Sequence, residues 1–417
     1  MKSREDLTVL ARDVLILTYV TIASSTLSFF LPRSSSKIWD FHWGPWIRTF
    51  QQHGLVGGFY AVNDVYPPLT FSLLAFVSTL PGDTYLNFKL AQILFTFASA
   101  LLILVWRRNI VLAVGAYLAL VPNSIIFDSV DIFFTPFLIG ALIAASKRRW
   151  AWFSALYVAA CLVKFQPVVL APFFLIWAVR DLQRWRTWLL LVVPACLVLL
   201  PVVVVFGPQF PGALFRAFGA SSFFSGDAYN LNWLTGSIYG LANFPDATAF
   251  SLMPIMTDPR IPRAMWRIAQ LTSYASFIFI VALSYFSPRS PTNLFMFCGF
   301  GMLSYFMLHT EVHENHLHIV VVCFAVLAAV SPRHIPTFLF WSGAQAVNLM
   351  QIFTGWTRTV AGLEWTLLIS IFNVIMFIAL YFDIVKSVVN ARAEDRRNRL
   401  VSRLVDDALL GAPSSTV

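Results

Sequence analysis

The chain has 417 residues, of which 58% are hydrophobic and only 12% are charged. Soluble domains carry roughly a quarter charged residues, so this chain has too few to cover a water-facing surface. Apolar runs of about 20 residues, the length that crosses a bilayer, recur along it. The composition excludes the soluble enzyme classes and predicts an all-α polytopic membrane protein. The net charge of +9 does not indicate a nucleic-acid partner, because the basic residues form short clusters between apolar runs.

About twelve transmembrane helices are predicted, together with short interfacial helices in the first outer loop. In chain order the predicted spans are 9–31, 86–106, 110–126, 131–146, 150–164, 166–179, 187–206, 265–286, 293–308, 316–330, 335–352 and 362–386. The short apolar stretch 67–80 begins and ends at prolines and is predicted not to cross. The basic clusters and both termini then share one side, which the positive-inside rule assigns to the cytoplasm.

Residues 1–386 therefore form a predicted transmembrane domain, in which the outer loops 32–66 and 207–263 are the longest polar segments. The remaining residues, 387–417, form a cytoplasmic tail. Its apolar residues recur at helical spacing among arginines, which predicts an amphipathic helix on the membrane surface. A solvated, disordered charged tail is the alternative.

The first outer loop carries three tryptophans, Trp39, Trp43 and Trp46, at spacings of four and three. This spacing predicts a short helix at the membrane interface. The helix would hold Asp40 near the membrane surface, partly desolvated among aromatic rings, which makes it a candidate general base. The alternative is that Asp40 caps the helix beginning near Phe41, since Asp is a favoured N-cap residue.

The same loop ends in Asp64-Val65-Tyr66-Pro67-Pro68-Leu69. The two prolines restrict the backbone and push the preceding residues toward extended conformations. Asp64 and Tyr66 would thus be held rigidly, which suits substrate positioning. The prolines also predict a helix start at this point.

Three further charged residues lie at predicted outer helix ends. Asp128 and Asp131 are three residues apart and would share a face if helical; they are either functional or ordinary residues at the water interface. Lys164 opposes the positive-inside trend. Either a bound phosphate compensates its charge, or its side chain snorkels to lipid headgroups.

Four of the seven histidines lie between residues 309 and 318. The spacing of His313 and His316 does not match the HExxH zinc motif. A phosphate-binding and proton-handling role fits, because histidine donates hydrogen bonds and titrates near neutral pH. A metal site of another geometry and a purely structural role are the alternatives; no metal and no cofactor are predicted.

Asn230 and Trp233, in loop 207–263, could bind and stack on a sugar, or form an ordinary turn.

Taken in order, these motifs resemble the GT-C superfamily of polyprenyl-phosphate-sugar-dependent glycosyltransferases. The resemblance is greatest to the dolichyl-phosphate-glucose-dependent glucosyltransferases and their bacterial relatives, and it spans about residues 38–320. The motifs that carry it are Asp40-Phe41, Asp64-Val65-Tyr66-Pro67-Pro68-Leu69, Asp128 to Phe133, Lys164-Phe165-Gln166 and Val312-His313-Glu314-Asn315. Asn315 stands where the family has lysine.

The resemblance implies an inverting transfer of a hexose, glucose or mannose, from a polyprenyl-phosphate donor to a lipid-linked glycan or similar acceptor on the non-cytoplasmic face. Membrane lipids are the surrounding partners, and a bacterial inner membrane fits better than the endoplasmic reticulum. The implied catalytic base is Asp40, the phosphate ligands are Lys164, His313 and His316, and the substrate-binding residues are Asp64, Tyr66, Asp128, Asp131, Glu314, Asn230 and Trp233.

The alternative function is a membrane transporter or lipid flippase. That function favours polar groups at mid-membrane depth and internal repeat symmetry. The polar residues of this chain instead gather at one predicted face.

Overall fold

A computed structural model describes the chain over residues 4–29, 38–207, 209–219, 224–226, 228–243, 261–354, 359–360 and 363–410. Parts of both predicted outer loops, 32–37 and most of 244–263, lie outside the described residues, as does the end of the tail, 411–417.

The chain is almost entirely helical. The first eight helices are α1 Arg4–Phe29, α2 Gly44–Val62, α3 Pro68–Thr79, α4 Thr84–Arg107, α5 Ile110–Val121, α6 Thr135–Ser146, α7 Trp150–Val163 and α8 Ala171–Val179. The next eight are α9 Trp185–Phe206, α10 Gln209–Gly219, α11 Leu231–Asn243, α12 Arg263–Phe286, α13 Pro291–Leu308, α14 Leu317–Val330, α15 Ile335–Thr354 and α16 Trp365–Leu410. Two short strands, β1 Thr359–Val360 and β2 Leu363–Glu364, pair antiparallel between α15 and α16.

Six described helices are long and apolar enough to cross a membrane. They lie within α1, α4, α9, α12, α13 and α16. Other predicted spans fall on shorter apolar helices of 10–17 residues, among them α7 and α14. The structure is thus that of an all-α membrane protein, and the number of about twelve crossings stays a prediction.

The helices α13 and α14 form the centre of the bundle. Nearly every side chain of both is buried, and α13 packs on its neighbours α12 and α14. The peripheral helix α9 differs, since only 11% of its most apolar stretch is buried inside the protein. Its exposed side chains are mostly valine and leucine, which is the composition of a lipid-facing surface.

The helix predicted from the tryptophan spacing in the first loop is confirmed, and its place at the membrane interface stays a prediction. Residues Trp39–Trp43 form a π-helical turn that continues directly into α2. Within α2 the backbone breaks at Gly54, whose φ of 67° and ψ of −174° are not helical. The helix start predicted from the prolines is also confirmed, because α3 begins at Pro68 with Pro67 in an extended conformation.

One end of the bundle is held together by arginines, and we call it the basic end (Arg148, Arg180, Arg289). The Asp181 carboxylate binds Arg289 at 2.7 Å and Arg148 at 3.5 Å, and accepts a hydrogen bond from Trp150 Nε1 at 3.2 Å. Arg289 in turn donates to the Arg180 carbonyl. Three basic clusters that are distant in sequence therefore lie at one end, as the charge pattern predicts.

The tail continues α16 without a break. The helix runs from Trp365 to Leu410 and so includes most of the predicted tail. Arg392 donates from Nε to the Phe286 carbonyl at 3.2 Å, which ties this part of α16 to the end of α12.

Candidate functional site

Two buried ion pairs form the centre of the site. Asp128 binds Lys89 of α4, and Asp131 binds Lys164, which directly follows α7. All four side chains are almost fully buried. Because a buried charge is costly without a partner, each lysine and its carboxylate stabilise each other only as a pair.

The two carboxylates are presented by the irregular junction between α5 and α6. After the π-helical turn Pro122–Ile126, Asp128 adopts a φ of 57°, a left-handed conformation that Asp tolerates better than most residues. The 3₁₀ helix Val130–Phe133 follows, and Ser129 Oγ accepts a hydrogen bond from Asp131 N at 3.2 Å. The interpretation that Asp128 and Asp131 share one helical face is therefore wrong, because the turn between them sends each to a different lysine.

Lys164 does not snorkel to the membrane surface. Its side chain is buried and bound to Asp131, so a protein carboxylate compensates its charge in this structure. The Lys164 Nζ also lies 5.8 Å from the centre of the Tyr66 ring. Tyr66 thus connects the first loop to the lysine.

The helix that carries Trp39, Trp43 and Trp46 contacts aromatic residues that lie beside both ion pairs. Trp43 and Trp46 contact the Tyr66 ring edge-on at centroid distances of 5.4 and 5.6 Å, and Tyr66 lies beside Lys164. This arrangement places the start of α2 over the Lys164 pair.

The first turn of this first-loop helix, at Trp39, lies near the Lys89–Asp128 pair. Trp39 contacts Tyr85 at 4.9 Å and Phe88 at 5.3 Å, and Lys89 Nζ lies 5.4 Å from the Tyr85 ring. Asp40 therefore belongs to the element whose tryptophans contact the tyrosines beside both lysines.

The Asp40 side chain itself is exposed. It is the second residue of the π-helical turn, which has Ile38 as its N-cap; the interpretation of Asp40 as a helix cap is therefore wrong. To the residues that the structure describes, Asp40 makes no hydrogen bond or ion pair. The expected desolvation among the tryptophans is likewise not found, because the ring of Trp43 turns inward while Asp40 points outward.

Asp64 lies at the end of the first loop and is half-buried. Its Oδ1 accepts a hydrogen bond from Val65 N at 2.6 Å, and its backbone carbonyl accepts one from Arg216 of α10 at 3.4 Å. Two hydrogen bonds therefore hold Asp64 in place, and the rigidity expected from the prolines stays a prediction.

The histidine loop (residues 309–316) reaches the same region. His313 pairs with Gly226 as an isolated parallel bridge, and Gly226 N donates to the Val312 carbonyl at 2.9 Å. The rings of His313 and His316 are 5.7 Å apart. Glu314 belongs to the 3₁₀ helix Glu314–His316, but its side chain lies outside the described residues.

The charges near His313 connect this loop to the Lys164 pair. The pKa of His313 is lowered to about 4, chiefly by burial and further by the positive charge of Lys164, while Asp131 opposes the change. Burial also lowers the pKa of His309 to about 4. Both imidazoles are therefore neutral near pH 7, and each offers one N–H donor.

Several polar atoms of the histidine loop are buried without a partner among the described residues. They are His309 Nδ1, Thr310 Oγ1, Asn315 Oδ1 and His316 Nδ1. Native structures leave few such atoms unpaired, and a concentration of them calls for water or a ligand. The loop is thus suited to bind a polar group beside Lys164.

Asn230 and Trp233 have structural roles. Asn230 donates to the Phe306 carbonyl at 2.8 Å and accepts from Trp233 N at 2.9 Å, so its amide caps α11 and attaches it to α13. Trp233 is buried and packs on Tyr229. Neither faces an open surface on which a sugar could stack, and the ordinary-turn interpretation fits better.

Among the described residues, no group of three or more His, Cys, Asp and Glu side chains is arranged to hold a metal ion. The four histidines between His309 and His318 separate into different environments. His309 lies against Tyr305 at 4.7 Å, whereas His318 is buried within α14.

Lys89 and His318 are the residues that the sequence interpretation missed. A lysine inside an apolar run is costly in a membrane unless it is paired. Lys89 lies within the predicted span 86–106, so its sequence position alone indicates that it needs a partner. A carboxylate at the same end of the bundle is the partner expected for a buried lysine. His318 offers no comparable signal, because its partners come from two distant helices.

A scan against protein-family models and a search of curated proteins both found no match for this chain.

Proposed function

We propose that this protein is an inverting glycosyltransferase that moves a hexose, glucose or mannose, from a polyprenyl-phosphate donor to a lipid-linked glycan or similar acceptor. The observation that carries the proposal is the buried Lys164–Asp131 pair, covered by Tyr66 and electrostatically coupled to His313. It is supported by the order of motifs that resembles GT-C enzymes.

The leaving phosphate is held by Lys164, His313 and His316. An ammonium group has three N–H donors, and the bond to Asp131 uses one of them. The remaining donors and the imidazole N–H groups form charge-assisted hydrogen bonds to phosphate oxygens. These bonds strengthen as the phosphate gains negative charge in the transition state, which lowers the barrier to its departure.

The acceptor hydroxyl is activated by Asp40. The acceptor oxygen attacks the anomeric carbon, its proton passes to the Asp40 carboxylate, and the bond from that carbon to the phosphate oxygen breaks with its electron pair going to the phosphate. Supporting this role, Asp40 is exposed on the helix whose tryptophans contact aromatic residues beside both lysines. Asp64 and Tyr66 position the sugar and acceptor, and Asp131 holds Lys164.

The site opens to the non-cytoplasmic side of a bacterial inner membrane, with both termini cytoplasmic. The support for this orientation is the basic end, where Arg148, Arg180 and Arg289 gather far along the helices from Lys164. Positive residues concentrate at the cytoplasmic ends of membrane helices.

The test is transfer of labelled hexose by the purified protein in lipid nanodiscs, with polyprenyl-phosphate-glucose and polyprenyl-phosphate-mannose as donors. We expect a labelled lipid-linked product from one donor. Asp40→Asn should reduce turnover by about a hundredfold or more, because a general base typically contributes 10²–10⁴.

The matched control is Asp83→Asn. Asp83 is exposed and caps α4 by accepting a hydrogen bond from Leu86 N at 2.9 Å, and asparagine caps equally well; turnover should be unchanged. Unaltered turnover in Asp40→Asn would overturn the assignment of the base. Movement of labelled lipid across proteoliposomes without a new glycosidic bond would contradict the enzyme and support a flippase.

A further inference from the structure

A chain of three buried side chains lies directly behind the Asp131–Lys164 pair. His318 of α14 is fully buried, and its Nε2 lies 2.8 Å from Thr135 Oγ1 at the start of α6. Its Nδ1 lies 3.2 Å from Nε2 of Gln345 in α15. Thr135 Oγ1 in turn donates to the backbone carbonyl of Asp131 at 3.1 Å.

The donor and acceptor of each hydrogen bond among Gln345, His318 and Thr135 can be assigned. A carbonyl oxygen only accepts, so the single hydroxyl proton of Thr135 goes to Asp131. Thr135 must then accept from His318, which places the ring proton on Nε2. The lone pair of His318 Nδ1 accepts from the Gln345 amide. Each member therefore has a defined donor and acceptor role, which fixes the neutral Nε2–H tautomer of His318.

The three side chains lead to Asp131, whose backbone N–H and carbonyl are both hydrogen-bonded. Asp131 N donates to Ser129 Oγ at 3.2 Å, while its carbonyl accepts from Thr135. The carboxylate that binds Lys164 therefore extends from a backbone anchored by hydrogen bonds on both sides. A change in the Thr135 hydrogen bond would act on the Asp131 backbone and, through the carboxylate, on the lysine ammonium.

His318 also follows the histidine loop by two residues. The same ring that fixes Asp131 therefore fixes the beginning of α14, and with it the attachment of His313 and His316. The three side chains thus connect Asp131, the partner of Lys164 at the junction between α5 and α6, to the start of α14, which follows His313 and His316.

We propose that the Gln345–His318–Thr135 chain is a positioning device that sets the separation between Lys164 and the histidine loop for the donor phosphate. The proposal rests on the proposed function. His318 is a positioning residue in it, since it acts through Thr135 and Asp131 and does not contact the substrate.

The test compares variants that keep or remove single hydrogen bonds. Thr135→Ser keeps the hydroxyl, whereas Thr135→Val keeps the shape and loses it. His318→Gln retains an N–H donor near the Nε2 position, whereas His318→Asn does not. Cys323→Ala, a buried change in the same helix away from the chain, controls for general loosening of α14.

Two measurements are made on each variant that folds to the wild-type melting profile. The first is affinity for polyprenyl phosphate alone, by thermophoresis in nanodiscs. The second is kcat and KM for the active hexose donor. We expect Thr135→Val and His318→Asn to weaken lipid-phosphate binding and donor kcat/KM by about tenfold or more, because misplacing a ligand by 1 Å can cost a hundredfold. Thr135→Ser, His318→Gln and Cys323→Ala should stay within about twofold of the wild type.

Equal binding of polyprenyl phosphate by Thr135→Val and Thr135→Ser would overturn the proposal, as would failure of the wild type to bind that lipid. Should the wild type bind polyprenyl phosphate but transfer no hexose, the proposed function fails, while the binding comparison still decides the positioning role. If Thr135→Val does not fold, the His318→Gln and His318→Asn pair gives the same decision.

Discussion

Each of the two buried lysines at the site, Lys89 and Lys164, is paired with one carboxylate. The two ion pairs have different surroundings. Lys89 also donates to the Ile125 carbonyl, so it is held by the junction on two sides. Lys164 instead has the Tyr66 ring beside it and the histidine loop nearby. The Lys89 pair is thus suited to stabilise the junction, and the Lys164 pair to meet a ligand.

Removing one member of the Lys89 pair should be costly. We expect Lys89→Met to lower the free energy of unfolding by about 3–5 kcal/mol, because it leaves Asp128 charged, buried and without this partner. The double variant Lys89→Met/Asp128→Asn should recover most of the loss. Thermal unfolding in one detergent measures all three proteins.

The control for this cycle is Lys386→Met, since Lys386 is exposed on α16 and its loss should change the melting temperature little. A double variant no more stable than Lys89→Met would show that the two residues do not depend on each other.

Donor affinity should depend on pH through His313. Burial lowers the pKa of His313 to about 4, and a bound phosphate anion would raise it by stabilising the charged imidazolium. Between the two values binding takes up a proton, so affinity increases as pH falls, by up to about tenfold per pH unit. A hexosyl phosphodiester keeps one negative charge over this range, so binding of the intact donor at pH 7.5 and 5.5 isolates the protein's contribution.

His313→Asn should weaken the pH dependence, and His313→Asn/His316→Asn should abolish it, because burial also lowers the pKa of His316, the other imidazole proposed to bind the phosphate. Burial raises the pKa of the neighbouring Glu311, so Glu311→Gln is the necessary second variant and should leave the dependence in place. A dependence that survives in His313→Asn but disappears in Glu311→Gln would assign it to the carboxyl group.

At the scale of elements, local patterns predicted helices better than junctions. The tryptophan spacing predicted the first-loop helix, and the prolines predicted the start of α3, because both signals depend on a few adjacent residues. The same local reasoning failed at Asp128 and Asp131. A spacing of three shares a face only in a continuous helix, and the left-handed backbone at Asp128 ends that continuity.

The sequence predicted which residues belong to the candidate site better than it predicted which residues contact each other there. Lys164, Tyr66 and His313 were singled out by unusual residues at helix ends, and the structure brings them together. The partner of Lys164 could not be predicted, because residues 131 and 164 meet only through the packing of α6 and α7. The choice between sugar binding and an ordinary turn at Asn230 was left open for the same reason, since its partner on α13, the Phe306 carbonyl, is distant in sequence.

Close packing of α13 against α8 should make one glycine irreplaceable. A Cβ at Gly301 would overlap the Phe173 ring, whereas a Cβ at Gly343 in α15 meets nothing within 4 Å. We expect Gly301→Ala to destabilise the protein by about 1–3 kcal/mol and Gly343→Ala to stabilise it by up to about 1 kcal/mol through helix propensity. Melting temperatures in one detergent give the comparison.

Adding Phe173→Leu to Gly301→Ala should restore part of the lost stability, because the smaller side chain makes room for the methyl group. A Gly301→Ala protein with the same melting temperature as the wild type would contradict the close approach of α8 and α13.

At the scale of the whole molecule, the two ends should face different compartments. In a Cys196→Ala background, chosen because Cys196 is exposed, we expect Asp83→Cys to react with a membrane-impermeant maleimide in intact spheroplasts. Lys147→Cys, beside the basic end, should react only after permeabilisation, since basic clusters remain cytoplasmic. Mass-shift labelling on gels measures both, and labelling of both positions in intact cells would contradict the proposed orientation.

The short length of α7 has a consequence for how a lipid enters. A helix of 14 residues is about 21 Å long, roughly 9 Å less than the hydrocarbon layer of about 30 Å. In the proposed orientation, with Trp150 at the cytoplasmic headgroup level beside Asp181, Lys164 would lie about 9 Å beneath the opposite edge of the hydrocarbon layer. The isoprenoid tail of the proposed donor would then stay among the acyl chains while its phosphate reaches the ammonium group from the side.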